Sequence, residues 1–255
     1  KTKVILDLIS IRKQMDEPIK ALVVCPCQVH QQWVRQAEIH SDLTARAITS
    51  GDRLEQLLNP TTDITTINFE ALAVACKEVY KTRNGKEKVR APLELLENCP
   101  YNMLVIDEAH KVGNVKTNTY GILSSLATVI KYRLLLTGSP IGNNPLQIWG
   151  QFHIIDLENK VFGDHWSFLN RAGFRTPFNS FVCTKRGKEY IARNFEKLAI
   201  RYREDEFTDL PEKNYNVHNL ELDKYSAELY QKTIAKLDGL DFTNPDQETK
   251  SQFMK

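Results

Sequence analysis

Two adjacent carboxylates, Asp107 and Glu108, follow directly on the short apolar run Met103-Leu104-Val105-Ile106. An uninterrupted apolar run of that length suits a parallel strand buried on both faces, and open α/β sheets bind ligands where such strands end. An Asp in that place can hold Mg²⁺, a hard cation that keeps several waters, while the Glu beside it orients or deprotonates a water for attack on a γ-phosphate. The plainer reading is that the two acids begin a helix, because acids favour helix N-termini. The apolar run before the pair and Ala109-His110 after it favour the phosphate chemistry.

That chemistry needs a phosphate cradle. The common form is G-x-x-x-x-G-K-[ST], with backbone N–H groups around the phosphates, the Lys on the β/γ-phosphates and the hydroxyl on Mg²⁺. Lys1-Thr2 fits its last two positions: Val4-Ile5-Leu6-Asp7-Leu8-Ile9 has helical spacing, and a strand follows over 20–25, as a βαβ unit requires. A chain boundary without meaning is the alternative for so short a dipeptide. A further apolar strand, Tyr132–Leu136, is expected to be buried and ends in Thr137-Gly138-Ser139-Pro140-Ile141-Gly142-Asn143-Asn144. Small residues and a proline let the chain turn sharply there, and Thr137 and Ser139 can hydrogen-bond back towards the acid pair.

The remaining elements alternate. Ala21–Cys25 reads as a buried strand stopped by Pro26, and 29–39 as a helix with Trp33 covering the sheet edge. Residues 43–50 read as a strand, 53–58 as a short helix ended by Asn59-Pro60, and 64–67 as a strand leading through Asn68 into a helix. Between Cys76 and Asn98 the composition turns basic around Asn84-Gly85, which reads as a solvated loop, with a phosphate-tracking hairpin as the alternative. Helices are expected over 119–126 and 146–156, the latter with Ile148, Trp149, Phe152 and Ile155 on its apolar face, and Phe162, Trp166 and Phe168 are read as core. Residues 216–222 read as a strand and 223–237 as a helix with Tyr225, Leu229, Tyr230 and Ile234 inside.

At 255 residues the chain has room for one large domain with an insertion. Lys plus Arg number 34 against 32 Asp plus Glu, so a surface for a polyanion must be a local patch. The 5 cysteines are odd in number and show no C-x-x-C spacing, which disfavours a zinc site or a disulfide framework. No segment is long and apolar enough to span a bilayer and no signal peptide is evident, so an intracellular protein without membrane contact is expected.

Asp107-Glu108-Ala109-His110 resembles motif II, the Walker B element, of superfamily 2 helicases and translocases. Within that superfamily the chain is similar to the SNF2 family. The strand ending at Pro26 with Trp33 in the next helix, Ile67-Asn68-Phe69-Glu70, and the Lys111, Asn114 and Thr117 series after the acids all occur in the family's order. So do Leu136-Thr137-Gly138-Ser139-Pro140, the Leu146–Trp149 helix with Phe162-Gly163, and the basic stretch 198–203 before Leu210-Pro211-Glu212-Lys213. Three places depart from the pattern: Ser139 stands for Thr and keeps the hydroxyl, Gly142 stands for Gln and loses an amide, and Tyr202 splits a basic pair.

The resemblance implies an α/β fold: a RecA-like P-loop NTPase lobe, a mostly parallel sheet flanked by helices, with a helical insertion. The expected boundaries are a lobe core over 1–144, a helical protrusion over 145–197, and the end of the lobe with a connector over 198–255. It implies ATP and Mg²⁺ as cofactors, with double-stranded DNA and a second RecA-like lobe as partners. Lys1 and Thr2 would meet phosphate and Mg²⁺, Asp107 would hold Mg²⁺ through water, and Glu108 would position the attacking water. Thr137 and Ser139, as motif III, would couple hydrolysis to lobe movement, and Lys111, Asn143 and Asn144 are the DNA candidates. Residues 1–255 alone are expected to hydrolyse ATP little or not at all. Two alternatives stay open: a motor lobe of a restriction or defence system or of an RNA helicase, and a degenerate, non-catalytic nucleic-acid-binding module.

Overall fold

The computed structural model describes residues 1–140, 145–176, 181–201 and 222–238. The chain divides into two compact units, Lys1–Ile200 and Arg201–Lys255.

The first unit begins with α1 (Thr2–Gln14), whose stripe Ile5, Leu6 and Ile9 is buried. It leads to β1 (Ala21–Cys25), buried at every position, and Pro26 ends that strand and stands at the N-cap of α2 (Cys27–His40). Next come β2 (Ala45–Ala47) and α3 (Arg53–Leu58), where the Asp52 carboxylate accepts the Glu55 N–H as cap. β3 (Ile64–Asn68) runs into α4 (Phe69–Ala75), capped by Asn68, which accepts the Ala71 N–H at 2.7 Å. Asn68 is thus occupied in holding the helix start.

The basic stretch then forms β4 (Glu78–Lys81) and β5 (Glu87–Arg90), an antiparallel hairpin and not a loop. Gly85 at its turn has φ +71°, the left-handed backbone that an Asn-Gly turn supplies. After α5 (Leu93–Glu97) come β6 (Met103–Asp107), a 3₁₀ turn (Ala109–Val112), α6 (Asn118–Val129) and β7 (Tyr132–Leu136). α7 (Gln147–Ile155), α8 (His165–Ala172), the hairpin of β8 (Gly173–Arg175) and β9 (Phe181–Cys183), and α9 (Lys185–Phe195) follow, so the expected protrusion contains a strand pair as well as helices.

The strands β2-β3-β1-β6-β7 form one sheet, parallel throughout. Its two faces are separately covered, as period-two alternation requires. Ala21, Val23, Cys25, Met103 and Val105 face α1 and α2, while Leu22, Val24, Leu104 and Ile106 face the helices that follow. Ile148, Trp149, Phe152, Phe162, Phe168 and Ile191 belong to that second cluster, so α7, α8 and α9 share the sheet's core. Arg133 secures this side: its guanidinium donates to the carbonyls of Ala127 and Ile130 at the end of α6, at 3.2 and 2.8 Å, and to that of Ile155 at the end of α7, at 3.3 Å.

Other expectations are corrected by packing. β7 lies at the end of the strand order and is half-buried along its whole length. On α7 the fourth buried apolar side chain is Ile154, and Ile155, expected in that place, is half-buried because its side of the helix is turned partly away from the core. Trp166 is 73% exposed while Phe162 and Phe168 are buried, since only the last two face the cluster.

In the second unit, α10 (Lys224–Asp238) fulfils the expected helix, but Tyr225, Leu229 and Tyr230 are exposed and not inside. Asn143, Asn144, Gly142 and the segment expected as a strand up to 221 lie outside the described residues.

Candidate active site

The register of the parallel sheet aligns its carboxyl ends. Val24 pairs with Ile106 and Asp107 with Leu136, so Cys25-Pro26, Asp107-Glu108 and Thr137-Gly138 emerge along one edge. This is the edge where such sheets bind ligands.

Asp107 closes β6 with its carboxylate held at both oxygens. Oδ1 accepts the Glu108 backbone N–H at 3.0 Å, and Oδ2 accepts the Trp33 indole N–H at 3.0 Å. Trp33 is 1% exposed, packed among the apolar residues of α1, β1 and β6 and not at the sheet edge as expected. Cys25, its neighbour in that cluster, has its thiol pushed up to about 12 by burial, with the charge of Asp107 and then Cys27 adding to the effect. The thiol stays protonated at neutral pH.

Glu108 has φ 52° and ψ 51°, a left-handed backbone that non-glycine residues rarely take. Its side chain caps nothing, so the pair does not serve simply as a helix start. The carboxylate is 39% exposed, with His110 Nδ1 3.2 Å from its Oε2. Lys111 donates its backbone N–H to the Glu108 carbonyl at 3.0 Å, and its ammonium lies 5.4 Å from the centre of the Phe69 ring, beside the end of β3.

Lys1 stands at the N-cap of α1 and Thr2 is that helix's first residue, with no side chain capping the free N–H groups. The Lys1 ammonium reaches the other side of the edge: a Cβ built on Gly138 would lie 3.4 Å from Lys1 Nζ. Thr137 Oγ1 accepts the Ser139 N–H at 3.2 Å, a bond local to the turn. Among the described residues neither hydroxyl bonds to the acid pair, because Thr137 lies one residue beyond the Leu136–Asp107 pairing and turns onto its own loop. Asn114 and Thr117 also serve the chain locally: Thr117 caps α6 by accepting the Tyr120 N–H at 3.2 Å, and Asn114 accepts the Lys116 N–H at 3.1 Å.

Two features escaped the sequence reading besides the Trp33 contact. Gln151 is 3% exposed and donates to the Pro140 carbonyl at 2.8 Å, which fixes the turn after β7 from inside α7. Its signal was a polar residue on the buried side of an amphipathic helix. Gly113 and Gly150 let the turn after the acid pair touch α7, where a Cβ on Gly150 would stand 2.4 Å from the Gly113 carbonyl oxygen.

Among the described residues no group of three or more His, Cys, Asp and Glu converges to hold a metal ion. One carboxylate with lone pairs to spare, an ammonium and an uncapped helix start suit a hydrated Mg²⁺ carried in by a nucleotide. Among the same residues no helix is long and apolar enough to cross a membrane.

Comparison with known proteins gives a consistent set of matches. The family model of the SNF2-related domain matches residues 1–255. The SWI/SNF-related matrix-associated actin-dependent regulator of chromatin subfamily A-like protein 1 homolog of Caenorhabditis elegans is 26% identical over 201 residues, 77% of this chain and 26% of that protein. TATA-binding protein-associated factor 172 of Homo sapiens is 26% identical over 240 residues, 87% of this chain and 12% of that protein. The chain therefore spans only a part of these relatives' length. Among solved structures, the Sulfolobus solfataricus SWI2/SNF2 ATPase core in complex with dsDNA matches with a TM-score of 0.60 and 21% identity, over 100% of this chain and 49% of that one. That likeness establishes the RecA-like fold.

Proposed function

The chain belongs to the SNF2-related domain family, and on that premise we propose that it is the ATP-binding lobe of an ATP-dependent translocase on double-stranded DNA. One observation carries the reading: Asp107 and Glu108 share the carboxyl edge of the sheet with the Lys1 ammonium at Gly138. ATP and Mg²⁺ are the reactants this edge fits. Lys1 and the free N–H groups of α1 bind phosphate oxygens, and Thr2 with the fixed carboxylate of Asp107 takes the cation, directly or through its waters. The bound Mg²⁺ neutralises charge on the phosphates. Glu108 accepts a proton from water, the water oxygen bonds to the γ-phosphorus, and the bond to the β,γ-bridging oxygen breaks to release ADP. Thr137 and Ser139 lie beside Lys1 and carry the state of the phosphates into the turn held by Gln151.

DNA is the proposed track. Support comes from the family and from the printed description of the Sulfolobus core as a complex with dsDNA. Residues 198–255 are read as the end of this lobe and a connector to a second one, which fits a solved core about twice the span matched here. Lys111, Asn143 and Asn144 are proposed to face the duplex. A duplex partner puts the protein's work where the genome is, in the nucleus or in the cytoplasm of a prokaryote.

The test is ATP turnover by the full-length protein alone and with duplex DNA, single-stranded DNA or RNA. Duplex DNA is expected to stimulate most. Preference for RNA would favour an RNA helicase, and wild-type turnover by the Glu108→Gln protein would reduce the lobe to a binding module.

A further inference from the structure

We propose that Trp33 is a positioning residue for Asp107: its indole N–H fixes the carboxylate that receives the cation. The inference rests on the reading of the site just given.

A buried indole needs a hydrogen-bond partner, and a backbone carbonyl would satisfy it. Trp33 instead reaches across to the acid at the end of β6, 74 residues away in sequence, at 3.0 Å. A carboxylate has about four lone-pair positions. Here one on each oxygen is filled, Oδ1 by the Glu108 N–H and Oδ2 by Trp33, so the group cannot rotate and each oxygen keeps one position free. Both donors are directed at a charge, which makes these the stronger kind of hydrogen bond. A cation that arrives with its waters binds well only to acceptors already in place, and partners that orient a metal's ligands set its affinity.

The helix that carries Trp33 is itself anchored by a polar contact. One turn earlier, His30 Nε2 lies 3.0 Å from the Thr66 carbonyl oxygen, and the Thr66 hydroxyl returns a bond to the His30 carbonyl at 3.4 Å. α2 is therefore clamped to β3 by His30 and to β6 by Trp33, on either side of β1. Asp107 is thus oriented from the helix as well as from its own strand.

The test compares full-length wild-type protein with Trp33→Phe and with a protein carrying benzothienylalanine at position 33, which keeps the ring shape and replaces the N–H by sulfur. Mn²⁺ affinity is read by electron paramagnetic resonance in the presence of a non-hydrolysable ATP analogue, beside the Mg²⁺ dependence of turnover and the Tm. Both variants should bind Mn²⁺ about tenfold more weakly or worse. Their affinity for the analogue without metal should stay within twofold, and kcat should recover at high Mg²⁺ while the half-saturating Mg²⁺ concentration rises. Unchanged Mn²⁺ affinity in the benzothienyl protein, whatever happens to Tm, would reduce Trp33 to packing and overturn the proposal. Wild-type protein that binds neither the analogue nor Mn²⁺ would instead overturn the site reading and this inference together.

Discussion

Glu108 holds a conformation its own chemistry disfavours. Among the described residues three other than glycine have positive φ, Asp16 at 57°, Asn159 at 56° and Glu108 at 52°. Asp and Asn tolerate the left-handed region through local hydrogen bonds of their short side chains, whereas Glu gains no such help and stays there at a cost of about 1–2 kcal/mol. The surroundings enforce it: the Glu108 N–H is held by Asp107 and its carbonyl by Lys111. The strain and the chemistry can be separated by two substitutions. Glu108→Asn should raise the unfolding free energy by roughly 0.5–1 kcal/mol in urea titrations, because Asn suits the backbone, while ATP turnover is lost. Glu108→Gln keeps the size and removes the proton acceptor, so kcat should fall by about 100-fold or more with nucleotide affinity retained. A Gln protein that fails to bind nucleotide would mean that Glu108 serves binding and not water activation.

At the scale of elements, the acid pair is positioned by contacts that need space as much as sequence. Gly113 follows the 3₁₀ turn and has φ −68°, which any residue adopts, so conformational freedom is not why it is glycine. The reason is α7: a Cβ on Gly113 would stand 2.5 Å from Gln147 Cβ, and one on Gly150 would stand 2.4 Å from the Gly113 carbonyl oxygen. Gly150→Ala should therefore cost about 1–3 kcal/mol by overpacking, and should depress kcat beyond what its Tm explains by shifting the turn behind Glu108. The opposite end of the sheet offers a pH probe. Burial raises the Asp63 pKa, but hydrogen bonds from Thr44 N–H and Oγ1 and from Lys13 outweigh it and leave the carboxyl below the usual range. A depressed folded pKa means that this stabilisation is present above the unfolded value and is lost as pH falls through the folded one. Asp63→Asn should thus lower stability by about 1–2 kcal/mol at pH 7, and the gap to wild type should close below about pH 4 in urea midpoints. These contacts also mark what could be read in advance. The strands ending at Cys25, Asp107 and Leu136 were legible because apolar runs stop at Pro26, at the acids and at Thr137-Gly138. The Trp33–Asp107 bond was not, because it depends on how α2 lies over β1 and β6, and periodicity says which side of a helix is apolar but not what a ring nitrogen meets. The hairpin over 78–90 reads first as a loop and only second as a hairpin, because charged strands on a solvated ribbon lack the apolar alternation that signals a sheet, although Asn84-Gly85 signals its turn.

For the chain as a whole, the charge balance bounds how the proposed duplex can be held. A formal net charge of +2 over these 255 residues gives no long-range attraction to a polyanion, so this chain's share in holding the proposed duplex must come from a few lysines and arginines placed at the right edges. Each phosphate neutralised by one of them contributes about one unit to the slope of log affinity against log salt. Lys111 is the candidate proposed for such a contact: its backbone holds the Glu108 carbonyl, and its ammonium extends over Phe69 beside the end of β3. If that ammonium meets a phosphate, Lys111→Ala in the full-length protein should weaken duplex binding evenly across sequences and lower the salt slope by about one unit. Metal-dependent nucleotide affinity without DNA should not change, because the side chain is not assigned to the nucleotide. Fluorescence anisotropy on a labelled duplex across a salt series decides it. An unchanged slope with a lowered Tm would leave the ammonium to its contact with the Phe69 ring, and the duplex would then have to be held elsewhere. The basic hairpin would be next in line, because α6 carries it through Gly121, where a Cβ would stand 2.3 Å from the Val89 carbonyl oxygen. That contact seats β5 against α6 and leaves Lys81, Lys86 and Lys88 exposed to meet a backbone.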